Sequence, residues 1–432
     1  MRIAVLTTFV ELLDAFSLCG VVATQLKALL QLGHDVTFVA CDGCTPRGVF
    51  AHPFLRQQRL PVVHIADEHD VVERERNFRA GVEAIKVRLR PLLAATDLAI
   101  THDLIYLSHH LAYNVACREV AAEFPRVRWL HWIHSAPEPH RAYAHSDPRW
   151  ARFAPFPNAR LVYPNAWDIP RLARQFAVPE QSISVVPHAL DYETLFAFHP
   201  LSRALLECYD LYSPELVALY PIRMDRGKQP EKLVRFFAAL KQAGRSICLL
   251  IVNFHSTGER FLAYRDEIKR EARALGLTGE EVIFTNEIGS LPGIDTEQCA
   301  RIRVEFPQRV VTDLFHLTNI YVHPSASETY SLVCQEAAAT GNLLVLNDDF
   351  PPMRDLYGSA ALYFKFSSTL FTTTHTPSEA AYYAECARRL LAHLATEKTI
   401  AQKDRLRRTR NLPYVARTYL EPLLYAETAV PA

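Results

Sequence analysis

RIAVLTTFVELLDAFSLCGVVATQLKALLQLGHDVTFVA, residues 2–40, sets the grammar by which the rest of the chain is read. Ile3 to Thr8 is a short apolar run of strand length. Val22, Leu26, Leu29 and Leu30 then fall on one helical face, Gly33-His34 stops that helix, and Val36 to Ala40 supplies a second apolar run. A strand, an amphipathic helix and a strand in this order make a β-α-β unit, the connection that parallel strands require.

Working outward, the same alternation recurs at Leu98-Ala99-Ile100, Val127 to Ile133, Leu161-Val162-Tyr163 and Ser184-Val185-Val186. It lapses between Asp191 and Ser213. A second series starts at Leu216-Val217-Ala218-Leu219-Tyr220 and continues through Ile247 to Val252, Val282-Ile283-Phe284, Ile320-Tyr321-Val322 and Leu343-Leu344-Val345-Leu346. The expected fold is therefore α/β, with two facing Rossmann-like doubly wound parallel-sheet domains. The first covers residues 1–195 and the second 196–405. A C-terminal helical segment, 406–432, is expected to pack back towards the N-terminal domain. Ligands of open α/β sheets bind beyond the carboxyl ends of the strands, so the polar residues that follow strands are the ones to search.

Composition narrows the function classes. The 432 residues are 49% hydrophobic and 22% charged, enough apolar material for two cores and no case for disorder. Forty-seven basic residues balance forty-seven acidic ones, so no net field attracts nucleic acid, and no nucleic-acid partner is expected. The apolar-interleaved basic stretch Lys86-Val87-Arg88-Leu89-Arg90 is either a solvated helix face or the place where a membrane surface is touched. The N-terminal apolar run meets Glu11 and Asp14 too soon for a signal peptide, and no run approaches the length of a membrane span. Nine scattered cysteines fit a reducing cytoplasm, with peripheral contact at the inner face of the membrane left open. Cys41 and Cys44 form a C-x-x-C pair without a second pair to complete a zinc site, and read as free thiols in a loop.

Two segments carry candidate chemistry. Pro324 to Gly341 follows a strand directly; Ser325 to Glu328 form a polar loop, and a helix is expected to begin near Tyr330 or Ser331. Its unpaired amides and positive dipole end suit a phosphate. Glu336 is expected on a mostly apolar face with Leu332, Val333 and Ala339, where a carboxylate needs donors such as ribose hydroxyls, a nearby cation or water. The second segment, Arg223-Met224-Asp225-Arg226-Gly227-Lys228, places two cations five residues apart in one loop, suited to converge on a diphosphate. Taken alone, it equally describes ordinary surface charges at a helix start.

Glu328 and Glu336 resemble the E-x7-E motif of the large retaining glycosyltransferase family of GT-B type that includes bacterial mannosyl- and glucosyltransferases. Arg223 and Lys228 resemble its R-x4-K pair, and Val185 to Phe196 resembles its domain linker. The resemblance implies an acceptor domain followed by a donor domain. It implies that Arg223 and Lys228 grip the donor diphosphate, Glu336 the ribose, and Glu328 the sugar hydroxyls near the anomeric carbon. Thr329, Tyr330, Ser331 and Leu332 line the donor site, the first three through backbone amides. His134 resembles the histidine beside the donor sugar, and Gly20 a glycine of the loop after the first strand, where an absent Cβ lets substrate approach. The catalytic set is thus His134, Glu328, Arg223 and Lys228. Departures are Thr329-Tyr330-Ser331 for a Gly-Phe-Gly-like turn, Cys19 for a second glycine, His188-Ala189 for Asn-Gly, and Asn253 to Gly258 for a Gly-x-Gly loop.

The implied reaction moves a hexosyl unit from a UDP or GDP type nucleotide-diphosphate sugar to an acceptor, with retention of configuration. The acceptor is a small molecule, a glycan, a lipid or a protein. No cofactor is expected beyond the nucleotide sugar as co-substrate. No metal is expected either, because Asp348-Asp349 lacks the spacing of a D-x-D pair and fixed cations replace the ion. Base recognition is expected from backbone around Thr285-Asn286-Glu287-Ile288. Rival readings are a nucleotide-sugar epimerase, a sugar phosphorylase, and a non-catalytic nucleotide-sugar-binding subunit.

Overall fold

The computed structural model of the chain describes residues 1–63, 71–107, 110–134, 154–367 and 380–426. They form two compact units, one of Met1–Leu190 with the chain from Leu412 on, the other of Asp191–Asn411. Residues 427–432 of the expected C-terminal segment lie outside the described residues.

Unit 1 is built on a sheet whose described strands are β1 (Arg2–Leu6), β2 (Asp35–Cys41), β3 (Leu55–Leu60), β4 (Leu98–His102), β5 (Arg128–Trp132), β6 (Ala159–Tyr163) and β7 (Ile183–Val185). All pairings are parallel, in the order β3-β2-β1-β4-β5-β6-β7. The first helix, α1 (Ser17–Gln31), buries Val22, Leu26 and Leu29 against one face of the sheet, each worth about 1.5–3 kcal/mol. It ends where Gly33 takes φ +78°, letting His34 N–H donate back to the Leu29 carbonyl at 3.1 Å. The other face is covered by α2 (Val71–Ala94) and α3 (Leu111–Glu123), whose Val82, Ile85, Leu89, Ala116 and Val120 share a core with Ala4, Leu6 and Trp129. Leu412, Val415, Ala416, Leu420, Leu423 and Leu424 join the α1 side of that unit's core.

Unit 2 has described strands β8 (Leu216–Ile222), β9 (Ile247–Asn253), β10 (Val282–Phe284), β11 (Ile320–His323), β12 (Leu343–Asn347) and β13 (Leu362–Phe364). They are again parallel, in the order β10-β9-β8-β11-β12-β13. All seven residues of β8 are buried, as expected of a strand covered on both faces. The stretch where the sequence alternation lapses contains two short helices, α4 (Tyr192–Leu195) and α5 (Pro200–Cys208). Arg407, 1% exposed, reaches back to the carbonyls of Leu211, Tyr212 and Pro214 and pairs with Asp404, which fixes the approach to β8.

Two strands depart from expectation. β3 carries Arg56-Gln57-Gln58-Arg59 between its terminal leucines, the polar make-up of an edge strand. β13 is an edge strand only three residues long.

Candidate functional site

In unit 2 the strand order reverses between β8 and β11, and the loops leaving the carboxyl ends of these strands are the two that carry the sequence motifs. They are tied together by backbone: Ala326 N–H donates to the Gly227 carbonyl at 2.8 Å. The Tyr220 hydroxyl, on β8, donates to the Lys228 carbonyl at 2.6 Å, and Asp225 caps the turn by accepting from Gly227 N–H at 3.1 Å. The loop after β9 joins them, since Met224 N–H donates to Ser256 Oγ at 2.8 Å.

On this frame Lys228 Nζ donates to Glu328 Oε1, with the two side chains 26% and 17% exposed. His323, the last residue of β11, stands behind the carboxylate, its Nε2 3.4 Å from the same oxygen, longer than a well-formed hydrogen bond. Its Nδ1 lies 3.1 Å from the Tyr321 hydroxyl. Burial pushes the Glu328 carboxyl up, but His323 and Lys228 outweigh it and hold it at about 2. Burial pushes His323 below the ordinary histidine value, so the imidazole is neutral near pH 7. Arg223, 64% exposed, donates from Nη2 to Asp225 Oδ2 at 3.0 Å. Each of the two expected diphosphate cations therefore holds its own carboxylate here, and the two do not converge on a shared acceptor. Arg226 pairs with Glu267 at 2.8 Å and lies over the Tyr264 ring, as a surface charge does.

The helix after the loop, Leu332–Ala339, begins within a residue of the expected start, with Ser331 as its N-cap at φ +58°. Ser331 thus occupies a left-handed conformation at the place where the resemblance expects glycine. No backbone amide of Thr329, Tyr330 or Ser331 donates to another backbone group among the described residues. Thr329 and Tyr330 are exposed, and Leu332 is 66% exposed. The expected apolar setting of Glu336 is corrected. This helix buries Cys334 and Ala337, one turn apart, while Leu332 and Ala339 face outward. Glu336 sits beside that buried face, half-buried, and accepts from Gln308 Nε2 at 2.9 Å. Asp348 pairs with Arg354 at 2.5 Å, and buried Asp349 accepts from Ser367 N–H at 2.7 Å, so the two carboxylates serve different partners.

In unit 1 the order reverses between β1 and β4. His134, just beyond β5, is held by its backbone N–H donating to Asp103 Oδ1 at 2.9 Å. Its ring Nε2 lies 2.8 Å from His102 Nδ1, and His102 Nε2 lies 2.9 Å from Gln25 Oε1. The His102 and His134 rings lie nearly in one plane and meet edge to edge through their contact, and the His188 ring centroid is 5.3 Å from that of His134. Burial, then the proximity of His188, pushes His134 down to about 3. Gly20 lies in the first turn of α1 rather than in the preceding loop, and a Cβ there meets nothing within 4 Å. Cys41 and Cys44 are buried thiols that burial pushes up, and among the described residues no cluster of three His, Cys, Asp or Glu suits a metal ion. Lys86 is paired with Glu119 at 2.7 Å and Arg90 with Glu123 at 2.8 Å, so these two cations are satisfied by the neighbouring helix, while Val87 and Arg88 are exposed. Among the described residues no helix is long and apolar enough to cross a membrane.

His323, His102 and Gln25 were not singled out from the sequence. The first two end strands at the same carboxyl edges as the motif loops, and that position was the available signal.

No family model matches the chain, and no curated protein matches it. Solved structures align along its whole length at low identity. The sucrose-phosphate synthase of Thermosynechococcus elongatus is 20% identical over 98% of each chain, with a TM-score of 0.37. A glycosyltransferase from Rickettsia africae is 15% identical over 98% of this chain and 97% of the other, at 0.32. The Anabaena protein HepE, solved with UDP and glucose, is 14% identical over 99% of this chain and all of the other, at 0.33. The functional reading is carried by the residues of this chain.

Proposed function

We propose that the chain is a glycosyltransferase of GT-B type that moves a hexosyl unit from a nucleotide-diphosphate sugar to an acceptor, with retention of configuration and without a metal. The observation that supports this reading is the meeting of two motif-bearing loops at the switch point of unit 2, where Lys228 holds Glu328. Unit 2 is then the donor side and unit 1 the acceptor side.

In this reading the diphosphate displaces Glu328 from Lys228 and Asp225 from Arg223, and the two cations offset the charge that grows on the leaving group. Glu336 accepts from the ribose hydroxyls, with Gln308 as its resting partner. Glu328, whose carboxyl His323 and Lys228 hold low in the free site, accepts from sugar hydroxyls. The bond between the anomeric carbon and the diphosphate oxygen breaks as the bond to the acceptor oxygen forms on the same face. The acceptor proton passes to the departing diphosphate. Neutral His134, on unit 1, offers a hydrogen-bonding group without adding charge.

The test is thermal stabilisation by UDP, GDP, ADP and their glucose or mannose conjugates in EDTA, for the wild type and Glu336→Ala. A shift with one nucleotide, lost in the variant, is the expected result. No shift with any of them overturns the nucleotide-sugar reading. Product formed from the donor alone would instead identify an epimerase.

A further inference from the structure

We propose that His323 is a positioning residue: it holds one oxygen of Glu328 from inside the protein and so leaves the other for the donor sugar. This rests on the donor site proposed above and adds to it a residue that the motifs do not contain.

Both contacts to the carboxylate fall on one atom. Lys228 Nζ and His323 Nε2 each approach Oε1. Oε2 has no partner among the described residues, and it is not shut off from solvent. One oxygen is therefore an anchor and the other an open acceptor.

The tautomer of His323 follows from its two neighbours. Tyr321 is fully buried, and His323 Nδ1 is the one partner of its hydroxyl among the described residues. A buried hydroxyl left without an acceptor costs about 1–3 kcal/mol, so the Tyr321 O–H donates to Nδ1. The remaining proton is then on Nε2, facing the carboxylate. The opposite tautomer would strand the tyrosine proton and set a nitrogen lone pair against Oε1. The other titratable groups around Glu328 are Tyr220 on β8 and Cys334 on the following helix, both pushed up by burial and neutral. The carboxylate is thus steered by one removable cation and one fixed, neutral donor. When a diphosphate draws Lys228 away, His323 is the contact that remains.

The experiment measures affinity for UDP, GDP and ADP and for their hexose conjugates at pH 7, in the wild type and in His323→Phe and His323→Gln. The quantity read is the gain in affinity that the hexose adds to the bare diphosphate. The expected result is that His323→Phe leaves the bare diphosphate within about twofold but lowers the hexose gain by about fivefold, the worth of about 1 kcal/mol for one ordinary hydrogen bond closed from 3.4 Å. Glutamine, which returns an N–H, restores most of the gain. A hexose gain within twofold of wild type in His323→Phe overturns the proposal. Should that variant fail to fold, or no diphosphate bind the wild type, ring-nitrogen NMR of the wild type decides. A protonated Nε2 whose resonance shifts in Glu328→Gln upholds the contact, and a protonated Nδ1 refutes it. Absence of diphosphate binding in the wild type is a failure of the proposed function alone.

Discussion

The Lys228–Glu328 pair predicts opposite responses to two substitutions that each remove one charge. In Lys228→Met the diphosphate loses a charge-assisted hydrogen bond, worth about 1.5–3 kcal/mol, so affinity for the bare nucleotide falls about 10- to 150-fold. In Glu328→Gln the same cation is released from its carboxylate. An exposed pair is worth about 0–1 kcal/mol, and breaking a fully buried one costs about 3–5. With side chains 26% and 17% exposed, and with Nζ still able to bond the glutamine oxygen, the resting pair opposes diphosphate binding by about 1 kcal/mol. Bare nucleotide is therefore expected to bind about fivefold more tightly to Glu328→Gln, while the gain from an attached hexose is lost. Isothermal titration in EDTA, with the nucleotide that stabilises the wild type and with its sugar conjugate, reads both quantities. Equal weakening of the bare nucleotide by both substitutions would refute the reasoning, since it would mean that Glu328 supports the diphosphate rather than competing for its cation.

Three further outcomes are expected. Arg407→Met strands the carbonyls of Leu211, Tyr212 and Pro214 and the carboxylate of Asp404 in a buried site, and should cost unit 2 about 3–5 kcal/mol, read by urea unfolding. Ser331→Gly removes a left-handed non-glycine residue and should raise thermal stability by an amount equivalent to about 0.5–1 kcal/mol, whereas Ser331→Val should lower it. Burial holds His131 and His134 at about 3 in the folded state, below the unfolded histidine value. Between pH 6.5 and 3 the unfolded chain thus binds more protons than the folded one, and stability falls as pH falls, by about 1.4 kcal/mol per pH unit for each histidine excluded from protonation. His134→Asn should reduce that slope by one proton, measured by urea midpoints across the range.

The fold was legible where burial on both faces makes a strand a continuous apolar run. β1, β2 and β8 announce themselves this way, and the helix between the first two shows its buried stripe and its glycine stop. β3 was not legible because an edge strand spends its inner positions on Arg56, Gln57, Gln58 and Arg59, which resist further pairing and erase the apolar signal. In the site, the loops and their order could be read, but the partners could not. Helical spacing places Glu336 near Leu332 and Val333 without saying that Cys334 and Ala337 are the residues turned inward. His102 and Gln25 lie 77 residues apart, and His134 lies 32 residues beyond His102, so no local pattern contains their chain of contacts. His323 is concealed differently, as a polar side chain at the end of an apolar strand.

The resting pairs give the site a property that neither motif has alone. Arg223 with Asp225 and Lys228 with Glu328 are neutral couples, so the free site presents little net charge from these four side chains. A bare diphosphate that takes Lys228 leaves Glu328 half-buried and short of donors, with His323 alone opposing the burial that raises its carboxyl. A hexose on the same diphosphate brings hydroxyl donors to that carboxylate as the cation is withdrawn. The two halves of a nucleotide sugar then assist one another, the diphosphate freeing an acceptor that the sugar satisfies. Bare nucleotide gains the cation but leaves the acceptor unpaired. Discrimination between donor and departing nucleotide follows from the exchange of partners on Glu328, provided that the carboxylate stays where His323 and the β11 backbone hold it.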